Sequence, residues 1–335
     1  MKKVARQTKL PRWRGFNLLE FFVPESTGDV QEGDYRWMAD WGFNFVRLPA
    51  CYTLWIEGND VYKVHEPMLA KIDRAIELGQ KYGLHTCFNF HRAPGYCVNA
   101  GLKEPFDLWK DQDALNAFCF HWELFARRYR GISSDQLSFN LINEPMAPSP
   151  DGMTRKDHDR VIRSATSTIH AMDLQRLIIA DGLSWGNDPC PELTDLGIAQ
   201  SCRAYNPMGI SHYKAPWWPP SAKLPPPAWP GGWHLDSAWD RQSLERHYEP
   251  WVKLAAQGVG VHCGEGGAFI HTPHDIVLRW LRDVLEILSG HNIGFALWNF
   301  RGSFGILDSD RKDVAYEDWH GHKLDTELLA LLREF

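Results

Sequence analysis

Eight short β-like runs alternate with helical stretches along the whole chain, and this alternation most limits what it can fold into: parallel strands joined by crossover helices. The runs predicted as strands are 15–18, 44–48, 85–89, 137–141, 177–180, 209–213, 259–262 and 294–298. Between them, apolar residues recur at helical spacing: Leu69, Ile72 and Ile76; Leu115, Phe118, Trp122 and Phe125; Val161, Ala165, Ile169 and Met172; Val277, Trp280, Val284 and Leu288. Such stripes are the core-facing sides of helices. Eight units in 335 residues predict one (β/α)₈ TIM barrel filling the chain, 1–335, with its active site at the C-terminal ends of the strands. A doubly wound open sheet is the alternative, but no GxGxxG follows the first strand and no GxxxxGK occurs, so its nucleotide-binding form has no support.

Charge and composition remove other classes. At 44% hydrophobic and 23% charged residues the chain has enough apolar material for a large core. A net charge of −6, with both signs scattered, offers no basic stripe for nucleic acid or a membrane surface. No apolar stretch approaches a bilayer span, and the opening MKKVARQTKLPRW lacks the apolar core of an export signal, so the expected location is the cytoplasm, or outside the cell if a leader was removed. Seven widely spaced cysteines contain no CxxC and read as reduced structural thiols. Fifteen histidines raise a metallohydrolase reading, yet no HExxH occurs and no HxH closes a strand; no metal and no cofactor is expected.

The strand ends carry the candidate chemistry. In sequence order they present Arg47 (VRLP), His91 (FNFHRAPG), Asn143 and Glu144 (LINEP), His212 and Tyr213 (ISHYK), Glu265 (CGEGG) and Trp298 (ALWNF). Glu144 and Glu265, on strands four and seven, would face each other across the mouth, as acid–base hydrolysis of an acetal requires. Pro145 is expected to hold Glu144 extended, and apolar neighbours to raise its pKa as a general acid needs. Alternatively, Asn-Glu-Pro is only a polar strand-to-helix turn and Gly-Glu-Gly-Gly a glycine turn with a solvated acid. Arg47 reads as a mouth salt bridge, placed to pair with Glu265. His91, His212 and Trp298 are core rings or, taken together, a sugar-sized pocket. The one long connection, 214–239, holds five Trp and seven Pro, which suit neither helix nor strand. It is a stiff surface loop or a wall of the site.

In this order and spacing, RLP, HRAPG, NEP, HY, GEGG and LWNF resemble glycoside hydrolase family 5, the retaining cellulase and mannanase family of (β/α)₈ barrels. WRGFNLLEFF and FALWNFRGSFGILDSDRKD look particularly like its compact single-domain endoglucanases from thermophilic bacteria, and the likeness runs over roughly residues 13–335. The resemblance implies Glu144 as acid/base, Glu265 as nucleophile and Asn143 as donor to the sugar 2-hydroxyl. It further implies that Arg47 and His91 support the nucleophile and the −1 pocket, that His212 is oriented toward the acid/base, and that Trp298 floors the −1 sugar. The family pattern places a tyrosine two residues after the strand-six histidine; here Lys214 stands there, and Tyr213 one residue earlier. The strand is registered differently or another hydroxyl serves. The resulting expectation is a monomeric, retaining endo-β-1,4-glucanase acting on β-linked oligo- or polysaccharide, with an endo-mannanase or an exo-acting β-glycosidase as alternatives. Outside that class stand a metal-dependent barrel hydrolase and a non-catalytic carbohydrate-binding barrel.

Overall fold

A computed structural model describes residues 8–26, 28–99 and 103–335. The first seven residues, part of the stretch on which the export expectation rests, lie outside this range. Eight strands run parallel: β1 (Arg14–Asn17), β2 (Phe45–Cys51), β3 (His85–Ala93), β4 (Leu137–Asn140), β5 (Leu177–Asp181), β6 (Ala199–Ala204), β7 (Val261–Gly266) and β8 (Gly294–Leu297). Each pairs with its sequence neighbours, and β8 pairs with β1, closing the (β/α)₈ barrel.

The outer layer follows from local sequence. Helices α1 (Glu32–Asp40), α2 (Glu66–Tyr82), α3 (Gln112–Arg128) and α4 (Arg155–Met172) follow the first four strands; α5 (Arg241–Ala256), α6 (His274–Gly290) and α7 (Thr326–Glu334) follow the last three. A 3₁₀ segment, Pro191–Leu196, stands in for a helix after β5. The α4 start is fixed by a capping box in which Thr154 and Asp157 satisfy each other's backbone N–H groups. Gly83, at φ 68°, ends α2 in the left-handed conformation that glycine adopts without strain. All the stripe residues predicted above are buried except Met172, which packs against the core half-exposed.

Two expectations are corrected here. The segment 209–213 is not a strand: Met208–Ser211 is a helical turn closed by Ile210 N–H to Pro207 O and His212 N–H to Met208 O. The sixth strand is Ala199–Ala204, whose composition, AQSCRA, carries no β-branched or aromatic residue to signal it. The seventh strand begins later than predicted and runs on through Glu265, so that residue belongs to the strand end.

Side-chain alternation divides the barrel interior into two ends. Towards the N-terminal end Trp13, Phe45, Cys87, Ile179, Ala199 and Ala296 form an apolar plug, with the His85 ring stacked on Trp13 at 4.1 Å. Two to four residues further along β2, β3, β5 and β6 the inward positions are Arg47, Asn89, Asp181 and Arg203, joined by Asn140 from β4, all buried. The chain thus places its polar interior at the C-terminal mouth.

Candidate active site

The two arginines organise the mouth. Arg47, from β2, is 1% exposed and donates to Asn17 Oδ1 (3.0 Å), Asn140 Oδ1 (3.0 and 3.1 Å), Asn143 Oδ1 (2.8 Å) and Glu265 Oε1 (2.5 Å). Arg203, from β6, donates its Nε–H to Glu144 Oε1 (2.9 Å) and Nη2–H to Asn143 Oδ1 (3.0 Å) and to Asp181 Oδ2; Nη2 also lies 3.3 Å from Glu265 Oε1. One planar guanidinium therefore touches both candidate carboxyls.

Glu265 reaches this position through an irregularity in β7. His262 and Gly264 face inward by strict alternation, which would turn residue 265 outward; the β6–β7 register shifts between Cys263 and Glu265 and re-aims it into the mouth. The preceding Gly264 is demanded by packing: a Cβ there would stand 2.7 Å from Ser201 Oγ and 3.2 Å from Arg203 Nη1. The glycines of GEGG thus admit neighbouring strands and guanidinium groups. Glu265 Oε2 accepts from the Tyr205 hydroxyl at 3.1 Å. Burial, then the Glu265 and Glu144 charges, hold that phenol well above the ordinary tyrosine value, so it remains a donor.

Glu144 is not extended as its proline suggested. Its φ is 47°, in the left-handed region, costly for a residue with a Cβ. Two hydrogen bonds fix it there: its N–H donates to Asp181 Oδ2 (3.0 Å), and its carbonyl accepts from the Tyr96 hydroxyl (2.7 Å). Burial first, then the Glu265 charge, raise its pKa to about 8, with Arg203 pulling the other way. Charge balance points the same way. Arg47 and Arg203 match two carboxylates among Asp181, Glu265 and Glu144, so a protonated Glu144 leaves the cluster neutral.

The remaining expected residues divide. Asn143 lies between the two arginines, its Oδ1 taken by both and its Nδ2 buried without a protein partner. The His91 ring stacks on Trp298 (5.7 Å between centroids) and burial lowers its pKa to about 3, so it is neutral. Tyr213 does not meet Glu265; it sits beyond the helical turn with Lys214 over its ring, and Tyr205 takes the place expected of it. His212 bonds Ser211 Oγ through Nδ1 (2.8 Å) and sets its ring edge-on to Tyr205, while the side-chain bond to Glu144 comes from Arg203. The Trp-rich loop is a wall of this mouth: Trp217 packs against Phe269 and Phe304 and remains 52% exposed. Arg203, Tyr205 and Asp181 were not foreseen. RAYNP, a second strand end running into Asn-Pro, was the available signal for the first two. Among the described residues no group of three or more His, Cys, Asp or Glu is placed to hold a metal ion, and no helix is long and apolar enough to cross a membrane.

The sequence profile of the cellulase family, glycosyl hydrolase family 5, matches residues 5–303. The chain belongs to glycosyl hydrolase family 5. Among characterised relatives in this family, endoglucanase C of Acetivibrio thermocellus is 25% identical over 313 residues, covering 86% of this chain and 89% of its own. Cellodextrinase A of Ruminococcus flavefaciens is 27% identical over 272 residues, 79% of this chain and 76% of its own. A crystal structure of a glycoside hydrolase superposes with a TM-score of 0.92 at 39% identity, spanning 97% of this chain and 99% of that one. As a family 5 member the chain is a glycoside hydrolase, and its substrate is a carbohydrate.

Proposed function

We propose that this glycoside hydrolase is a retaining endo-β-1,4-glucanase that works by double displacement. Glu265 attacks the anomeric carbon while Glu144 protonates the departing oxygen; Glu144 then takes a proton from the water that releases the sugar. The observation that carries this reading is the unequal environment of two carboxyls held on one guanidinium. Glu265 receives Arg47, Arg203 and Tyr205, an arrangement suited to a carboxylate nucleophile. Glu144 has a pKa of about 8 and carries the proton a general acid needs.

Sharing Arg203 also favours retention. Carboxyl oxygens bound to Nε and Nη2 of one guanidinium suit the separation of about 5 to 5.5 Å found in retaining enzymes better than the roughly 6.5 to 9.5 Å of inverting ones. On this reading Asn143 Nδ2, buried and unpartnered, is the donor to the sugar 2-hydroxyl, and Trp298 stacked with His91 is the floor of the −1 ring. The names of the endoglucanase and cellodextrinase relatives support β-1,4-glucan as the substrate class.

The stereochemical test is proton NMR of the first-formed product from a soluble β-1,4-glucan. The β anomer is expected before mutarotation sets in; α anomer formed first would contradict double displacement. Rates on carboxymethylcellulose, mixed-linkage β-glucan, glucomannan and mannan then test the substrate, with the glucans expected to be cut fastest and internally.

A further inference from the structure

The bulge that aims Glu265 interrupts the ladder on both sides of β7. Cys263 lies opposite Cys202 and Glu265 opposite Arg203, so Gly264 is the extra residue, with no partner across from it on β6. The register with β8 ends at Cys263. Buried backbone groups left out of a ladder need other partners, and three side chains supply them. The Gly264 N–H donates to Ser201 Oγ (3.2 Å), the Gly264 carbonyl accepts from Asn17 Nδ2 (3.0 Å), and the Glu265 carbonyl accepts from the Cys263 thiol (3.3 Å).

Ser201 stands out among the three because of what else it touches. It is buried, and its Oγ accepts a second hydrogen bond from Arg203 Nη1 (3.0 Å) and donates to the Cys202 carbonyl (3.4 Å). A hydroxyl has one donor and two acceptor sites, and here all three are taken. Arg203 is the guanidinium whose Nε–H meets Glu144. One hydroxyl therefore ties the backbone that carries Glu265 to the cation that holds Glu144. The two strands close tightly around this oxygen: a Cβ on Gly264 would stand 2.7 Å from it.

Resting on the double-displacement reading above, we propose that Ser201 is a positioning residue for the nucleophile: by closing the Gly264 bulge onto Arg203, it fixes the approach of Glu265 to the anomeric carbon. Attack requires reacting atoms about 3 to 3.5 Å apart and aligned, and a misplacement of about 1 Å can cost about 100-fold in rate. Without the Ser201 hydroxyl the Gly264 N–H is buried with no acceptor, and β7 is freed towards the regular alternation that turns residue 265 outward.

The test is the rate at which 2,4-dinitrophenyl 2-deoxy-2-fluoro-β-cellobioside inactivates the enzyme over a range of inhibitor concentrations. The limiting first-order rate constant belongs to the folded molecule, so a variant that only folds less completely leaves it unchanged. In Ser201→Ala this rate constant should fall about 10- to 100-fold, with the inhibitor's dissociation constant unchanged. Ser201→Cys, which keeps a weak donor and acceptor at the same place, should lie between Ser201→Ala and the parent. Inactivation of Ser201→Ala at the parental rate, or a loss confined to the dissociation constant, would overturn the proposal and leave Ser201 a packing group. Should Ser201→Ala not fold, Ser201→Cys carries the test: slower inactivation than the parent at an unchanged dissociation constant is expected, and equal inactivation overturns the proposal. A parent enzyme that hydrolyses 2,4-dinitrophenyl β-cellobioside but is never inactivated would instead overturn the double-displacement reading itself.

Discussion

Tyr205 donates its hydroxyl to Oε2 of Glu265 across 3.1 Å, from a strand end that the sequence pattern did not reveal. The bond joins a neutral donor to the proposed nucleophile, a type worth about 1.5 to 3 kcal/mol. Tyr205→Phe should therefore lower kcat about 10- to 100-fold and lower folding stability by no more than about 3 kcal/mol, leaving the protein folded. A variant with parental kcat would show that the hydroxyl has no part in positioning Glu265.

In the proposed mechanism Glu144 sets the alkaline limit of activity. A general acid works only while protonated, so kcat/KM should be lost as pH rises through about 8. Stability has the same origin. Between the ordinary glutamate value and about 8 the folded protein holds a proton that the unfolded chain has released, so this group's contribution declines as pH rises across that window. Glu144→Gln, neutral at every pH, should be inactive, and its melting temperature should gain on the parent between pH 5 and pH 8. A constant difference across that range would contradict the raised pKa.

Arg203 is buried against Asp181, Glu144 and Glu265. Arg203→Ala leaves Asp181 buried with its close partner gone, a change that costs about 3 to 5 kcal/mol. Denaturant unfolding should show a loss of that size together with loss of activity. Asp181→Asn/Arg203→Met should be closer to the parent in stability and still inactive; a double variant no more stable than Arg203→Ala would remove the unpaired charge as the cause.

Acid should unfold the protein through its histidines. Burial lowers His91 and His158 to about 3 and His85, His121, His212 and His247 to about 4. Below the ordinary value of about 6.5 the unfolded chain takes up protons that the folded protein refuses, so stability falls as pH drops from about 6.5 towards 4. The urea midpoint should decline steeply over that interval. A flat midpoint would mean these rings are protonated in the folded state.

Seven of the eight strands and the four helical stripes were legible because each carries its periodicity in apolar residues. The sixth strand was not, because Ala199, Ser201 and Arg203 face the interior from a strand of small and polar residues, while ISHY imitates a strand and folds as a turn. The two glutamates stood out as candidates by position, at the ends of strands four and seven, and the family resemblance supplied their roles. What tunes them was not legible. Arg203 and Asp181 act through contacts from β6 and β5, and the left-handed turn at Glu144 is held by Tyr96 and Asp181, both far from it in sequence. Local pattern located the acids, and tertiary contacts differentiate them.

In the proposed double displacement Glu265 forms a covalent bond to the sugar, and trapping tests that bond most directly. The enzyme is incubated with 2,4-dinitrophenyl 2-deoxy-2-fluoro-β-cellobioside, digested, and its peptides read by mass spectrometry. A fluorocellobiosyl adduct on Glu265, absent from Glu265→Gln, is the expected result. Turnover of the parent glycoside with no adduct, or an adduct on another residue, would contradict it.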